Sequence, residues 1–171
     1  PPVRVALREV SADAAPPREF ETLFEDEHLL SEAIYEAGWA QQNLGKNDEA
    51  LKNYEAAATK SRDHVGARAR FMIGELHFAA KKHDDAIREF QRAMFGFGAE
   101  QATPETKNWQ AKSGYEAGRC AEVQITEAKD ATAKQKAIAD AKRLYTFVAE
   151  KHADHELAAQ AKKRLDVLNK L

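Results

Sequence analysis

Apolar residues recur along most of this chain at helical rather than strand spacing. After Pro16-Pro17, Phe20, Leu23 and Phe24 fall on one helical face, and near the end Leu157, Ala161, Leu165 and Leu168 follow i, i+4, i+8 and i+11. Between them Ala141, Tyr145 and Val148 stand at 0, +4 and +7. The pattern predicts helix almost throughout, broken by the polar turns "GKND" and "KKHD" and by one long loop, "GFGAEQATPETKN", over 96–108. Residues 1–17 alternate weakly through Val3, Val5 and Leu7, turn Ala- and Pro-rich, and read as a flexible or extended N-terminal segment.

The helices are organised by repetition. "YEAGWAQQ" at 35–42 returns as "YEAGRCAE" at 115–122. Gly38 and Gly74 are 36 residues apart, and Ala50 with Ala86, Tyr54 with Phe90 and Ala57 with Ala93 keep that offset. A mid-helix glycine costs about 1 kcal/mol relative to alanine, which is tolerated where a partner helix must come close. Ala50 and Ala86 are then expected across that contact, with Tyr54 and Phe90 filling the space one turn on. Asp48 and Asp84 suit the first turn of a second helix.

Each unit is thus a helix, a tight turn and a second helix. Gly118, Ala141, Tyr145 and Val148 mark a third, in which Gly118 to Ala141 spans 23 residues where Gly38 to Ala50 spans 12. The eleven added residues, around "EAKDATAKQKAIA", contain no proline or glycine and predict a hairpin lengthened by one to two turns in each helix. The expected organisation is a leading helix at 18–30, repeats at 31–63, 66–96 and 109–152, and a capping helix at 155–170.

Composition narrows the function. Lys+Arg 26 against Asp+Glu 28 leaves a net charge of −2 with both signs interspersed, which lacks the one-sided basic surface that nucleic acid requires. No apolar run reaches the roughly 18 residues of a membrane span, so no membrane insertion is expected. A single cysteine, Cys120, excludes an internal disulfide and a multi-cysteine metal site, and reads as a small core residue. The chain opens on "PPVRV" without an initiator Met and reads as a fragment whose targeting signals have been removed.

No phosphate loop, nucleophile elbow, zinc-protease helix or calcium loop occurs. The pair His152 and His155 lies in a turn with only Asp154 and Glu156 beside it, while His77 and His83 read as structural. Nothing therefore argues for catalysis, a cofactor or a metal.

The residues Gly38, Ala50, Tyr54 and Ala57, with Gly74, Ala86, Phe90 and Ala93, resemble the later half of the tetratricopeptide repeat signature. The early tryptophan position holds Ile34 and Arg70, the tyrosine position holds Gln41 and His77, and the closing proline is absent. The resemblance spans roughly residues 31 to 170. It implies an all-α fold, a right-handed superhelix of stacked antiparallel helical hairpins with a C-terminal capping helix. The run "FVAEKHADHELAAQAKKRL" is also similar to the bacterial envelope branch of the family, which includes outer-membrane assembly and Tol-Pal coordinator proteins. That branch implies a periplasmic or envelope location, while the residues themselves leave the compartment open, the cytoplasm included.

Carried over position by position, the resemblance places Tyr35, Trp39, Gln42 and Asn43 of unit one in a concave groove. Phe71, Glu75 and Phe78 follow from unit two, and Tyr115, Arg119 and Glu122 from unit three. Arg68 and Lys112, with Glu32, add charge six positions before each glycine. Tyr35, Phe71 and Tyr115 read equally well as core between repeats, whereas Trp39 reads as a binding anchor. Glu75 stands where carboxylate-clamping members carry asparagine, and so argues against a C-terminal carboxylate as ligand. The expected function is non-catalytic binding of a peptide or protein segment. The rival is a structural scaffold fragment of a larger envelope protein that packs on its own chain or self-associates.

Overall fold

The computed structural model describes the backbone of residues 18–98 and 101–171, with side chains from residue 26 onward within those ranges. The expectation for residues 1–17 lies outside the described residues. Seven helices follow in order: α1 Arg18–Asn43, α2 Asn47–Lys60, α3 His64–Ala79, α4 His83–Phe95, α5 Pro104–Glu127, α6 Ala131–Lys151 and α7 Glu156–Leu168. They pair as hairpins α1/α2, α3/α4 and α5/α6, with α7 closing the array on α6. The first helices also stack on one another in the order α1, α3, α5, α7. This is an all-α, tetratricopeptide-like helical repeat.

The two short hairpins share one turn chemistry. Lys46 N–H donates to Gln41 O and Lys82 N–H to His77 O, both at 2.9 Å. The turn needs one left-handed residue. Gly45 supplies it at φ +73°, and Lys81, 36 residues later, takes φ +58° despite its side chain. Asp48 and Glu49, then Asp84 and Asp85, follow in the first turn of α2 and α4, where negative charge meets the positive end of the helix dipole.

Packing within each hairpin is a ring on a glycine. A Cβ built on Gly38 would lie 3.0 Å from the Tyr54 ring, on Gly74 2.5 Å from Phe90, and on Gly118 2.7 Å from Tyr145. The aromatic thus sits directly on the glycine, rather than one turn beyond a glycine–alanine contact. Tyr54, Phe90 and Tyr145 are fully buried, as are Ala50, Ala86 and Ala141.

The three equivalent rings differ at one atom. Tyr54 donates its hydroxyl to Gln42 Oε1 at 2.8 Å. The buried Tyr145 hydroxyl faces Glu122 and Arg164 but meets no partner with good hydrogen-bond geometry among the described residues, and burial, reinforced by the Glu122 charge, pushes its ionisation well above the ordinary phenol range. A buried hydroxyl without a partner costs about 1–3 kcal/mol. Tyr145→Phe is therefore expected to hold or raise stability, and Tyr54→Phe to lose about 1 kcal/mol. Urea unfolding followed by circular dichroism separates the two signs.

Three boundaries differ from expectation. α1 runs unbroken from 18 to 43, so the leading helix and the first helix of repeat one are a single rod. Nothing interrupts it before Gly45, and Ser31 stays inside by donating its hydroxyl to Glu27 O at 2.9 Å. α5 begins at Pro104, which shortens the loop expected over 96–108. Thr103 caps the Thr106 N–H, and Pro104 brings a helical φ to the first turn. α3 begins at His64, because Asp63 accepts the Val65 N–H at 2.9 Å.

The eleven-residue insertion lengthens both partners. α5 runs nine residues past Gly118, where α3 runs five past Gly74. α6 starts ten residues before Ala141, where α4 starts three before Ala86. α5 thus takes up about one turn and α6 about two.

Candidate functional site

The stacked first helices give one continuous face. Because equivalent positions lie 36 residues apart from α1 to α3 and 44 apart from α3 to α5, their side chains become neighbours across the stack. One such row holds Tyr35, Phe71 and Tyr115. Tyr35 is 1% exposed, its ring 5.3 Å from Tyr54, with the Arg68 guanidinium 3.9 Å above its centroid. Burial raises its phenol ionisation, against the opposing Arg68 charge. Tyr35 is therefore core and offers a partner no surface, which corrects the groove placement. Phe71 packs between Phe90 at 5.5 Å and Trp109 at 5.3 Å. Tyr115 leans edge-on to Tyr145 and donates to Gln160 Oε1 at 3.4 Å.

Gln42 is likewise committed inside its hairpin, as the acceptor of the Tyr54 hydroxyl. Asn43 is exposed at the end of α1. Phe78 is partly buried against the core cluster formed by α4, α5, α6 and α7, with Arg119 5.9 Å from its ring centroid. Trp39 stands apart: it is 49% exposed.

The row next to the glycines, Trp39, Glu75 and Arg119, carries the electrostatics. Glu75 is half-buried, and its Oε1 finds no hydrogen-bond partner among the described residues. Loss of solvent raises its carboxyl above the ordinary range, Glu116 adds to this, and Arg119 opposes it. Arg119 is drawn to Glu116, donating to Oε2 at 2.7 Å, so it does not reach Glu75 with a hydrogen bond. At the far end Arg164 of α7 donates its Nε–H to Glu122 Oε1 at 2.8 Å and pairs with Oε2 as well. A cleft of about 420 Å³ lies there, lined by Tyr115, Arg119, Glu122, Val123, Thr126 and Arg164. A larger depression of about 770 Å³, near the long α5/α6 tip, is lined mostly by charged side chains such as Asp84, Arg88 and Asp140 and has no aromatic anchor.

Trp109 was missed by sequence reasoning. It is nine residues before Gly118, aligned with Leu29 and Val65, and that register was its signal. It gathers cations, with Lys112 Nζ 4.7 Å and the Arg68 guanidinium 5.8 Å from its ring.

Cys120 and His155 have structural roles. Cys120 is 1% exposed, and burial first, with Glu116 and Glu75 adding, pushes its thiol up to about 12, so it is no nucleophile at neutral pH. His155 caps α7 through Leu157 N–H and bonds Asn108 at 3.0 Å. No helix among the described residues is long and apolar enough to cross a membrane.

Residues 35–101 match the family model described as tetratricopeptide repeat. The match takes in both short hairpins from Tyr35 onward, under half of the chain, and supports that family for the repeated unit. No curated protein matches the chain.

Proposed function

We propose that this chain is a non-catalytic protein-interaction module that holds a peptide or protein segment along the exposed face of α1, α3 and α5. The observation that carries this reading is Trp39, a tryptophan left half-exposed in line with an unpaired, half-buried carboxylate at Glu75. Tryptophan is among the residue types most enriched as binding anchors. Glu75 favours a segment that brings a Lys or Arg to it and disfavours one that ends in a carboxylate. The turn at His152-Ala153-Asp154 ahead of the alanine-rich α7 favours the cell-envelope branch, and with it a periplasmic partner.

A second face supports the rival reading. Leu29, Leu30 and Leu44 are exposed, and Ala33, Ala37 and Ala40 lie exposed between them. At about 100° per residue this stripe is on the side of α1 opposite Tyr35. Its equivalents one repeat on, Val65, Ala69, Ile73 and Leu76, pack on α2. The stripe is therefore shaped for a further α2-like helix, from its own chain or a second copy.

One experiment separates the faces. Affinity capture from the source cell with wild type, Trp39→Ala and Leu30→Lys/Leu44→Lys should lose the partner only with Trp39→Ala, at a cost on the order of 2 kcal/mol of affinity. Loss with the leucine variant alone would move the binding face to the α1 stripe.

A further inference from the structure

His28 and His64 are 36 residues apart, the same offset as Gly38 and Gly74. The repeat therefore places one imidazole beside the other across α1 and α3, with ring centroids 5.6 Å apart and the planes tilted by 51°. One turn beyond His28 on the same face of α1 stands Glu32, whose Oε1 is 3.6 Å from His64 Nε2. His28, Glu32 and His64 each offer a ligand atom, and these atoms all lie within 4.8 Å of one another. All three side chains are part-exposed, which gives an ion a way in and the ligands room to close on it.

A fourth residue orients the set. Asp63 Oδ2 lies 2.8 Å from His28 Nδ1. With the carboxylate oxygen as acceptor, Nδ1 is the donor nitrogen of His28, which leaves Nε2 as the one free to bind a cation. A carboxylate behind a histidine is the usual support of a metal ligand, fixing the tautomer and raising the basicity of the other nitrogen. Asp63 is itself held in place as the cap of α3.

We propose that His28, Glu32 and His64 form a divalent transition-metal site, of the kind Zn²⁺ takes, that ties α1 to α3. Two imidazoles and one carboxylate satisfy three positions of a tetrahedral ion, and water completes the fourth. Zinc bonds of about 2.0–2.1 Å require the donors to draw closer than they stand here. The positive end of α3 works against a cation at His64. The carboxylates of Glu32 and Asp63 beside the two imidazoles offset it. Ordinary surface ion pairs, His28 with Asp63 and His64 with Glu32, are the competing account of the same contacts.

The test uses the full chain with ZnCl₂, and CoCl₂ as a coloured substitute. The site is expected to take one Zn²⁺ per chain by equilibrium dialysis, to raise the melting temperature as Zn²⁺ increases, and to give Co²⁺ the intense visible bands of tetrahedral coordination. His28→Ala and His64→Ala should each abolish the cobalt bands. Asp63→Asn, which keeps the cap, should weaken Zn²⁺ about 10-fold or more. His152→Ala/His155→Ala should change nothing. The proposal is overturned if micromolar Zn²⁺ is not retained, if cobalt stays octahedral, if His64→Ala still binds one equivalent, or if the His152/His155 variant is the one that loses the metal.

Discussion

Phe90→Ala is expected to lower the stability of the chain by about 3–5 kcal/mol. The ring is fully buried and does two jobs. Within its hairpin it covers Gly74, and across the stack it meets Phe71, which in turn meets Trp109 of the next hairpin. It belongs to the same core cluster as Met94, Cys120, Leu144 and Tyr145, so the surface it covers is shared by α3, α4, α5 and α6. The loss is large beside the roughly 5–15 kcal/mol by which a domain is stable. A urea melt followed by circular dichroism checks it, and a loss below about 1.5 kcal/mol would mean the hairpins close over the gap.

The glycines and aromatics of the motif were legible in the sequence because they recur at a fixed offset in the first two units, but the contact between them was not, since the spacing set alanine rather than the ring against each glycine. Gly38, Gly74 and Gly118 pay helix propensity for contact, and Tyr54, Phe90 and Tyr145 answer them from the second helix. The length of the third hairpin was legible for the same reason, since an insertion without Gly or Pro can only extend helix. The unbroken α1 was not, because a long helix carries no internal mark showing where the hairpin begins.

Side-chain roles were read less well than helices. Position relative to the glycine says which face a residue is on, but not which neighbour reaches it. Tyr35 faces the stack and is sealed there by the Arg68 guanidinium, a contact set by the next repeat. Gln42 is taken by a hydroxyl that exists only because unit one has Tyr54 where unit two has Phe90. The histidine pair escaped for a related reason. His152 and His155 are adjacent in the sequence and drew notice, whereas His28 and His64 meet only through the 36-residue translation that the glycines had already revealed.

Gly74→Leu is expected to destabilise the chain by about 3 kcal/mol or more, above the ordinary range for an overpacked core. Even a Cβ at this position would sit 2.5 Å from the Phe90 ring, and that ring has no free space to move into. Gly74→Ala should therefore lose stability, although alanine favours helix by about 1 kcal/mol over glycine. Gly38→Ala makes the useful contrast. Its Cβ would meet the Tyr54 ring at 3.0 Å, at the edge of what a shift of a few tenths of an ångström relieves, so the propensity gain and the clash should nearly cancel. The cause can be isolated by a double-mutant cycle with Phe90→Leu, which removes ring atoms from over residue 74. In that background Gly74→Ala should cost less than in wild type, with a coupling of at least about 1 kcal/mol. If the two changes simply add, glycine is required at 74 for some reason other than the ring, and the packing account of the repeat fails at its central contact.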